Sequence, residues 1–215
     1  MVLGISLMPY SEKQINQLNN ISDSMGISCF EIPHGKMQNY ESVKDKNIYS
    51  IHANKNCFEL HDKEFADYLM TLESFARQFN CKRLLFHPHE DWNITKQKLS
   101  IIHSYSTYTD IILENTIQDM ERLMATIQEY GYRITIDFAH AAYHRHDISK
   151  YLEFVEYFHV RGYNSEIRYV PLAKDASYFE EIELPENGVY ILEYPYVNTV
   201  DIMKDVCKLR KMVKG

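Results

Sequence analysis

The sequence predicts a compact (β/α)₈ TIM barrel formed by a single domain that spans residues 1–215. Short apolar runs rich in β-branched residues alternate along the chain with longer amphipathic patterns, which is typical of parallel βα units. There are eight such runs, and a (β/α)₈ barrel has eight strands. The length of 215 residues lies close to the lower limit of about 200 residues for this fold, so some connecting helices must be short or absent.

The predicted strands are short, and polar or turn-forming residues bound most of them. They are residues 2–7, 27–32, 47–51, 83–86, 110–113, 132–136, 156–160 and 189–192. Amphipathic helices are predicted at residues 11–26, 63–80, 117–131 and 199–213. Two of these end at Asn80 and Gly131, as C-cap residues should. The connection most expected to have lost its helix is 33–46, so the second crossover is predicted to be shortened.

The charge and cysteine patterns narrow the setting in which the protein works. The 23 basic and 30 acidic residues give a net charge of −7, which argues against a broad nucleic-acid or anionic-membrane surface, although a local basic patch fits the same sum. The four cysteines form no CxxC pair, so neither a zinc knuckle nor a disulfide framework is indicated. No apolar run approaches the ~18 residues of a membrane span, and a signal-peptide pattern is missing. We expect a cytoplasmic protein without membrane contact, and oligomerisation stays open.

Chemistry-bearing residues recur near the C-terminal ends of six consecutive predicted strands, the third to the eighth. They are His52, His87, Glu114, Asp137, His159 and Glu193. In a (β/α)₈ barrel these strand ends converge on one mouth, where the chemistry is done. Any single one of these residues is readily explained as a cap or turn former, but that explanation is strained for all six. Imidazoles and carboxylates without a thiolate are typical ligands of Zn²⁺, Mn²⁺ or Fe²⁺, so the pattern predicts a divalent-metal site.

The local motifs around these residues resemble one superfamily. The series SIHANKN, LLFHPH, ILENT, TIDFAHA, FHVRGY and ILEYP, between about residues 47 and 195, is similar to the xylose isomerase-like TIM barrels. These include the sugar phosphate isomerases and epimerases and endonuclease IV, of AP endonuclease family 2. The resemblance to the ketose epimerases implies one metal held by Glu114, Asp137, His159 and Glu193. The resemblance to endonuclease IV implies a second metal held by His52, His87 and the bridging Glu114.

The chain departs from endonuclease IV at the third metal site of that enzyme. His140 matches one histidine of that site, but residues 166–175, EIRYVPLAKD, contain no Asp-x-His to complete it. The resemblance therefore favours a sugar or sugar-phosphate isomerase or epimerase with one or two ions (Zn, Mn or Fe) over an abasic-site phosphodiesterase. A barrel that binds metal or a sugar without turnover is the third interpretation.

The favoured mechanism uses a metal that acidifies a C–H bond and stabilises the resulting enediolate. Glu114 and Glu193 are predicted to exchange the proton as base and acid. In the phosphodiesterase alternative, the metals activate a bridging water and Glu114 is only a ligand. Asp137 has the alternative of capping the helix that follows it.

Three further residues are predicted to contact the substrate. His140 is expected to meet substrate or metal, with a supporting hydrogen-bonding role as its alternative. Arg161 follows His159 by two residues and so points to the same side of the strand, where it suits a substrate phosphate or carboxylate. Its alternative is a salt bridge that orients Glu193 or Asp137. Trp92 is predicted as an aromatic at the rim, whereas the nearby histidines of YHRHD (143–147) are expected to face solvent without a specific role.

Overall fold

A computed structural model describes residues 1–7, 11–35, 40–166, 168–180, 182–194 and 198–214. Eight parallel strands close into a barrel, in which the first strand pairs with both the second and the last. The barrel strands are β1 Val2–Ser6, β2 Ile27–Pro33, β3 Ile48–His52, β4 Arg83–Phe86, β5 Asp110–Glu114, β6 Arg133–Asp137, β7 Val155–Val160 and β10 Val189–Leu192. The predicted fold class and the eight predicted strands are thus confirmed.

Helices cover most of the crossovers between these strands, and a further helix, α6, follows the last strand. They are α1 Glu12–Met25, α2 Asp62–Gln78, α3 Trp92–Tyr105, α4 Met120–Tyr130, α5 Phe138–His144 and α6 Thr199–Lys214. In the described part of the connection from β2 to β3, the only helical element is a single 3₁₀ turn, Glu41–Val43, and residues 36–39 lie outside the described ranges. The second crossover is therefore shortened as predicted. No helix in the described part of the chain is both long and apolar enough to cross a membrane.

Helix boundaries follow the capping chemistry of the sequence. Ser11 and Gln14 form a capping box at the start of α1, in which the Ser11 amide donates to Gln14 Oε1 at 2.9 Å. The same helix ends at Gly26, whose φ of 65° lies in the left-handed region. Gly131 ends α4 in the same way with φ of 69°. These local signals explain why the first and fourth helices could be predicted to within a few residues.

Two helices and one hairpin were not predicted from the sequence. Helix α3 precedes β5, and the short helix α5 begins directly after β6. Strands β8 Gly162–Asn164 and β9 Arg168–Val170 form an antiparallel hairpin directly after β7. In the described residues, this hairpin and a 3₁₀ turn at Ser177–Phe179 stand where the crossovers other than the second carry an α-helix. The hairpin thus follows the strand that carries His159.

The barrel interior is filled below the mouth by a small apolar cluster. Leu85, Ile112, Tyr157 and Ile191 are fully buried there and pack against one another. A larger core lies between the outer face of the strands and the helices. The inner cluster closes the barrel from below, as expected for this fold, so the polar residues above it can be approached only from the C-terminal end of the strands.

Candidate metal centre

The strand ends bring the six predicted metal ligands together at one mouth. His52, Glu114 and Asp137 are the last residues of β3, β5 and β6. His159 lies one residue before the end of β7 and pairs in register with Asp137. His87 and Glu193 follow directly after β4 and β10. Because the strands are parallel and in the observed register, all of these side chains lie at the C-terminal mouth.

One group of ligand atoms consists of His52, His87 and Glu114, whose nitrogen and oxygen atoms lie within 4.8 Å of one another. His87 Nε2 is 2.6 Å from Glu114 Oε2, and His52 Nε2 is 3.9 Å from the same oxygen. The two Nε2 atoms are 2.8 Å apart. Two imidazoles and one carboxylate therefore aim at a common point.

A second group consists of Glu114, Asp137 and His159, again with ligand atoms within 4.8 Å of one another. His159 Nδ1 lies 3.5 Å from Glu114 Oε1 and 3.6 Å from Glu193 Oε2. Glu193 thus lies beside this group, because its Oε2 approaches the same ring nitrogen as Glu114 Oε1. Glu114 belongs to both groups, with Oε2 facing one and Oε1 facing the other.

Several buried polar atoms at the mouth have no hydrogen-bond partner within the described residues. They are Glu114 Oε2, Asp137 Oδ2, His159 Nδ1 and Glu193 Oε2. Asp137 Oδ2 lies 2.5 Å from Arg161 Nη2, but the pair is not aligned as a hydrogen bond. Unpaired buried groups of this kind are costly unless another partner satisfies them. Converging carboxylate and imidazole atoms without their own partners are the donor set that a divalent ion requires, so the residues fit a metal.

Glu31 of β2, a fully buried carboxylate beneath the mouth, was not predicted from the sequence. Three hydroxyl groups donate to it: Ser50 Oγ at 2.7 Å, Tyr157 OH at 2.9 Å and Ser6 Oγ at 3.1 Å. On its other side, His159 Nε2 lies 3.0 Å from Glu31 Oε1, and His52 Nδ1 lies 3.4 Å from the same oxygen. The signal that could have revealed it is the glutamate near the end of the apolar run ISCFEIP, since every later strand carries a comparable polar residue.

The buried charges at the mouth shift one another's pKa values strongly. Burial raises the pKa of Glu114, but the charges of the nearby His87 and His159 outweigh this and hold it well below its usual range. The same holds for Glu31. Burial raises its pKa, but the nearby His159 and His52 outweigh this effect and hold the pKa well below its usual range. Conversely, burial lowers the pKa of His159, but Glu31 and Glu193 raise it well above the ordinary value. The carboxylates of the metal-free protein are thus stabilised by protons on neighbouring imidazoles.

His87 differs from the other imidazoles at the mouth. Its pKa is lowered, because the effect of burial exceeds the opposing effect of Glu114. The pKa of His52 is raised, because its hydrogen bond to Glu31 and the charges of Glu31 and Glu114 exceed the effect of burial. A neutral His87 has a free lone pair, so of the two histidines it is the one better prepared to bind a metal.

Arg161 contacts two carboxylates through its terminal nitrogens and an aromatic ring through one face of its guanidinium group. Nη2 lies 2.5 Å from Asp137 Oδ2, and Nη1 lies 3.3 Å from Glu193 Oε2. The Tyr169 ring of the hairpin covers the guanidinium at 4.1 Å. These contacts correspond to the salt-bridge alternative that the sequence offered. Arg161 Nε is buried without a hydrogen-bond partner among the described residues, and the side chain still lines the mouth.

Asp137 caps a helix, as one alternative from the sequence predicted, and it also faces the second group of candidate ligand atoms. Its Oδ1 accepts a hydrogen bond from the His140 amide at 2.8 Å and caps α5, while Oδ2 faces the second ligand group. His140 Nε2 lies 4.0 Å from Glu114 Oε1, but His140 belongs to neither group of mutually close ligand atoms. His140 instead lines the cavity of the mouth.

The mouth holds a cavity of about 330 Å³ whose lining includes His52, His87, Thr116, His140, Arg161 and Glu193. Trp92 does not line this cavity. It is largely buried and borders a neighbouring groove of about 660 Å³, which meets the mouth at Thr116. The structure therefore places Trp92 beside the mouth and not over it.

The expectation that His146 faces solvent is wrong, because this side chain is 5% exposed. Its Nε2 lies 3.2 Å from the Gln118 carbonyl oxygen, and His144 Nε2 lies 3.1 Å from that of Thr116. The His146 amide also donates to the Ala141 carbonyl, which turns the chain inward after α5. Both histidines therefore hold the loop between β5 and α4 against α5.

Comparisons with known proteins bear on the fold. No protein-family model and no curated protein sequence matches the chain. Endonuclease IV from Thermus thermophilus superposes with a TM-score of 0.73 at 14% identity, over 100% of this chain and 99% of that one. A D-tagatose 3-epimerase-like protein gives 0.67 at 16% identity, over 100% and 97% of the two chains. IOLI protein with a bound zinc atom gives 0.66 at 15% identity, over 100% and 98%.

These likenesses cover nearly the whole length of each chain, but the sequence identities are low. At such identities a structural likeness establishes the architecture and leaves the reaction to be argued from the site. The chain has the xylose isomerase-like TIM-barrel fold, as its sequence motifs predicted.

Proposed function

We propose that this protein is a divalent-metal-dependent isomerase or epimerase that acts on a sugar or a sugar phosphate. The observation that carries the proposal is the position of Glu114, which is shared by two groups of ligand atoms and lies, like Glu193, within about 3.6 Å of His159 Nδ1. Two carboxylates beside one proposed metal-binding position are the groups that proton transfer at a sugar carbon requires.

The proposed metal ligands divide into two sets that share Glu114. His52 and His87 would hold one ion with it, and Asp137, His159 and Glu193 would hold the other. The all-nitrogen-and-oxygen donor set suits Zn²⁺, Mn²⁺ or Fe²⁺. A divalent ion, when bound, polarises adjacent carbonyl and hydroxyl oxygens of the substrate and acidifies the C–H bond between them.

Glu114 and Glu193 are the proposed proton carriers. Their side chains are 1% and 4% exposed, and Oε2 of each lacks a hydrogen-bond partner in the described residues. The pKa of Glu114 is held low by His87 and His159 against the effect of burial, so this carboxylate is ionised at neutral pH and able to accept a proton. Return of a proton to the opposite face of the same carbon gives the epimer, and return to the neighbouring carbon gives the isomer.

The shape and polarity of the mouth favour a small substrate. Its cavity of about 330 Å³ lies at the lower end of the range of about 300–1,000 Å³ found for small-molecule sites. His140 and Arg161 line it, and the unpaired Nε of Arg161 offers one donor to a substrate oxygen. Trp92 would meet only a substrate that extends past Thr116 into the neighbouring groove.

A metal-dependent phosphodiesterase similar to endonuclease IV is the second candidate. The group formed by His52, His87 and Glu114 favours it, because two ligand groups joined by a carboxylate suit a pair of ions that activates a water. Two observations argue against the phosphodiesterase. The cavity at the mouth is small, and residues 166–175 contain no Asp-x-His motif. A barrel that binds metal or a sugar without turnover is the third candidate.

Proton exchange with solvent tests the proposal even when the product is not known. The chain would be loaded separately with Zn²⁺, Mn²⁺ or Fe²⁺ and incubated in D₂O with a panel of ketoses and ketose phosphates. We expect deuterium to enter beside the carbonyl, detected by ¹H NMR, and Glu193→Gln to abolish this because an amide cannot carry the proton. Glu73→Gln is the matched control, since Glu73 is also buried but accepts from Ser106 Oγ at 2.7 Å outside the site.

The other candidates predict different outcomes of the same preparation. Cleavage of an oligonucleotide with an abasic site, without deuterium exchange on any sugar, would replace the isomerase by the phosphodiesterase. Stoichiometric metal binding with neither reaction would favour the non-catalytic barrel. A wild-type chain that binds no divalent ion would overturn all metal-dependent candidates.

A further inference from the structure

We propose that Glu31 is a positioning residue that holds one imidazole of each ligand group from behind and thereby couples the two metal sites. The inference rests on the proposed metal sites and assigns a role to a residue that neither the motifs nor the proposed mechanism uses. It is carried by the position of the Glu31 carboxylate between His52 and His159.

The two histidines approach Glu31 with different ring nitrogens. His159 directs Nε2 to the carboxylate, at 3.0 Å from Oε1 and 3.1 Å from Oε2. His52 directs Nδ1 to it, at 3.4 Å from Oε1. A carboxylate can only accept, so each of these nitrogens must carry the proton.

The proton positions decide which ring nitrogen is left for a metal. With Nε2 protonated, His159 presents Nδ1 to the second group, 3.5 Å from Glu114 Oε1. With Nδ1 protonated, His52 presents Nε2 to the first group, 3.9 Å from Glu114 Oε2. One carboxylate therefore fixes the tautomer and the ring orientation of a ligand in each group, as outer carboxylates do for histidine ligands in general.

Glu31 is itself held in place from three strands. The hydroxyl groups of Ser6 in β1, Ser50 in β3 and Tyr157 in β7 donate to it, and the side chain is fully buried. These hydroxyls and the two imidazoles all act as donors, so glutamine at this position would turn its amide NH₂ toward groups that need an acceptor. The isosteric change Glu31→Gln keeps the volume and removes the ability to serve both imidazoles.

Metal titration of the full-length chain tests the role of Glu31. Apo wild type, Glu31→Gln and Glu73→Gln would be titrated with Zn²⁺ against a chromophoric chelator, and with Co²⁺ to follow coordination by its visible absorption. We expect both sites to weaken about 10- to 100-fold in Glu31→Gln, which is the range found when a partner of a ligating histidine is removed. Glu73→Gln, which removes a buried carboxylate elsewhere, should match wild type.

The outcomes separate this inference from the proposed function. Wild-type affinities at both sites in Glu31→Gln would overturn the role of Glu31, and weakening at one site alone would overturn the coupling. A wild-type chain that binds no ion overturns the proposed function and this inference together. If thermal melting shows that Glu31→Gln does not fold, Ser50→Ala serves instead, since it removes a donor to Glu31 without touching either histidine. A smaller loss at both sites is then expected, and no loss refutes the role.

Discussion

Replacement of Asp137 by asparagine should destabilise the metal-free protein by about 3 kcal/mol. Asp137 and Arg161 form a buried ion pair with 2.5 Å between Oδ2 and Nη2, and their side chains are 0% and 11% exposed. Removing one partner of such a pair costs about 3–5 kcal/mol, because the other charge stays buried without compensation. Glu193 Oε2, 3.3 Å from Arg161 Nη1, retains part of the compensation, so we expect the lower end of that range.

The asparagine variant separates the effect of the Asp137 charge from the effect of its helix cap. Asparagine keeps an oxygen that accepts from the His140 amide, now 2.8 Å from Asp137 Oδ1, so α5 stays capped. Asp137→Ala also loses this hydrogen bond and should cost about 1 kcal/mol more. Asp119→Asn is the matched control, because Asp119 caps α4 through the Arg122 amide at 3.0 Å but is exposed.

The assay is urea denaturation of chelator-treated protein followed by circular dichroism. Asp119→Asn should stay within about 0.5 kcal/mol of wild type. Combining Asp137→Asn with Arg161→Met should be less harmful than the sum of the two changes, with a coupling free energy of about 1–3 kcal/mol. If Asp137→Asn loses no more stability than Asp119→Asn, the ion pair does not contribute as argued.

Three further predictions concern metal content, pH and the substrate. His87→Ala should remove one ion and Glu114→Gln both, because Glu114 belongs to both ligand groups, and equal metal content by elemental analysis would contradict this. Melting of the metal-free protein should show its highest stability between about pH 4.5 and 6.5. The pKa of His159 is raised in the folded protein, so the stability that its protonation contributes is complete below pH 6.5 and is lost as the pH rises through the raised pKa. The pKa of Glu31 is lowered, so the stability that its ionisation contributes is complete above pH 4.5 and is lost as the pH falls through the lowered pKa. A melting temperature that stays the same when the pH is moved well below 4.5 or well above 6.5 would refute this prediction. Tyr169→Ala, which removes the ring at 4.1 Å from the guanidinium of the mouth, should raise KM more than it lowers kcat, and an unchanged KM would speak against it.

The strands could be predicted because each is a short, mainly apolar run that ends in a polar residue or is followed directly by one. Strand β4 has the predicted bounds, 83–86, and His87 follows it directly. The convergence of the six predicted ligands then follows from the closed barrel, which puts the C-terminal ends of all its strands on one side. The hairpin of β8 and β9 could not be predicted in this way, because its strands have three residues each and give no periodic pattern.

Glu31 was missed because its direction depends on strand register and not on sequence order. It lies two residues before the end of β2, so a search for residues that follow strands passes over it. The pairing of β2 with β3 shifts between Phe30 and Glu31, and this irregularity sets Glu31 opposite Ser50. A period-two pattern alone cannot supply such a shift. The sequence also left undecided whether Arg161 pairs with a carboxylate or faces the substrate. The contact between Arg161 and Asp137 depends on the register of β6 against β7, which the sequence does not supply.

The balance of buried charge links the fold to the metal chemistry. Four carboxylates are buried at the mouth, none of them more than 4% exposed: Glu31, Glu114, Asp137 and Glu193. Buried carboxylates require compensating charge. Without metal, Arg161 and protons on His159 and His52 supply it, since the raised pKa of each imidazole reflects neighbouring glutamates that outweigh burial. An imidazole that carries both protons cannot bind a metal, so an entering ion must displace protons from these rings. At the proposed metal sites, protons and divalent ions would therefore compete for the same buried carboxylates, and we predict that metal affinity falls as the pH falls.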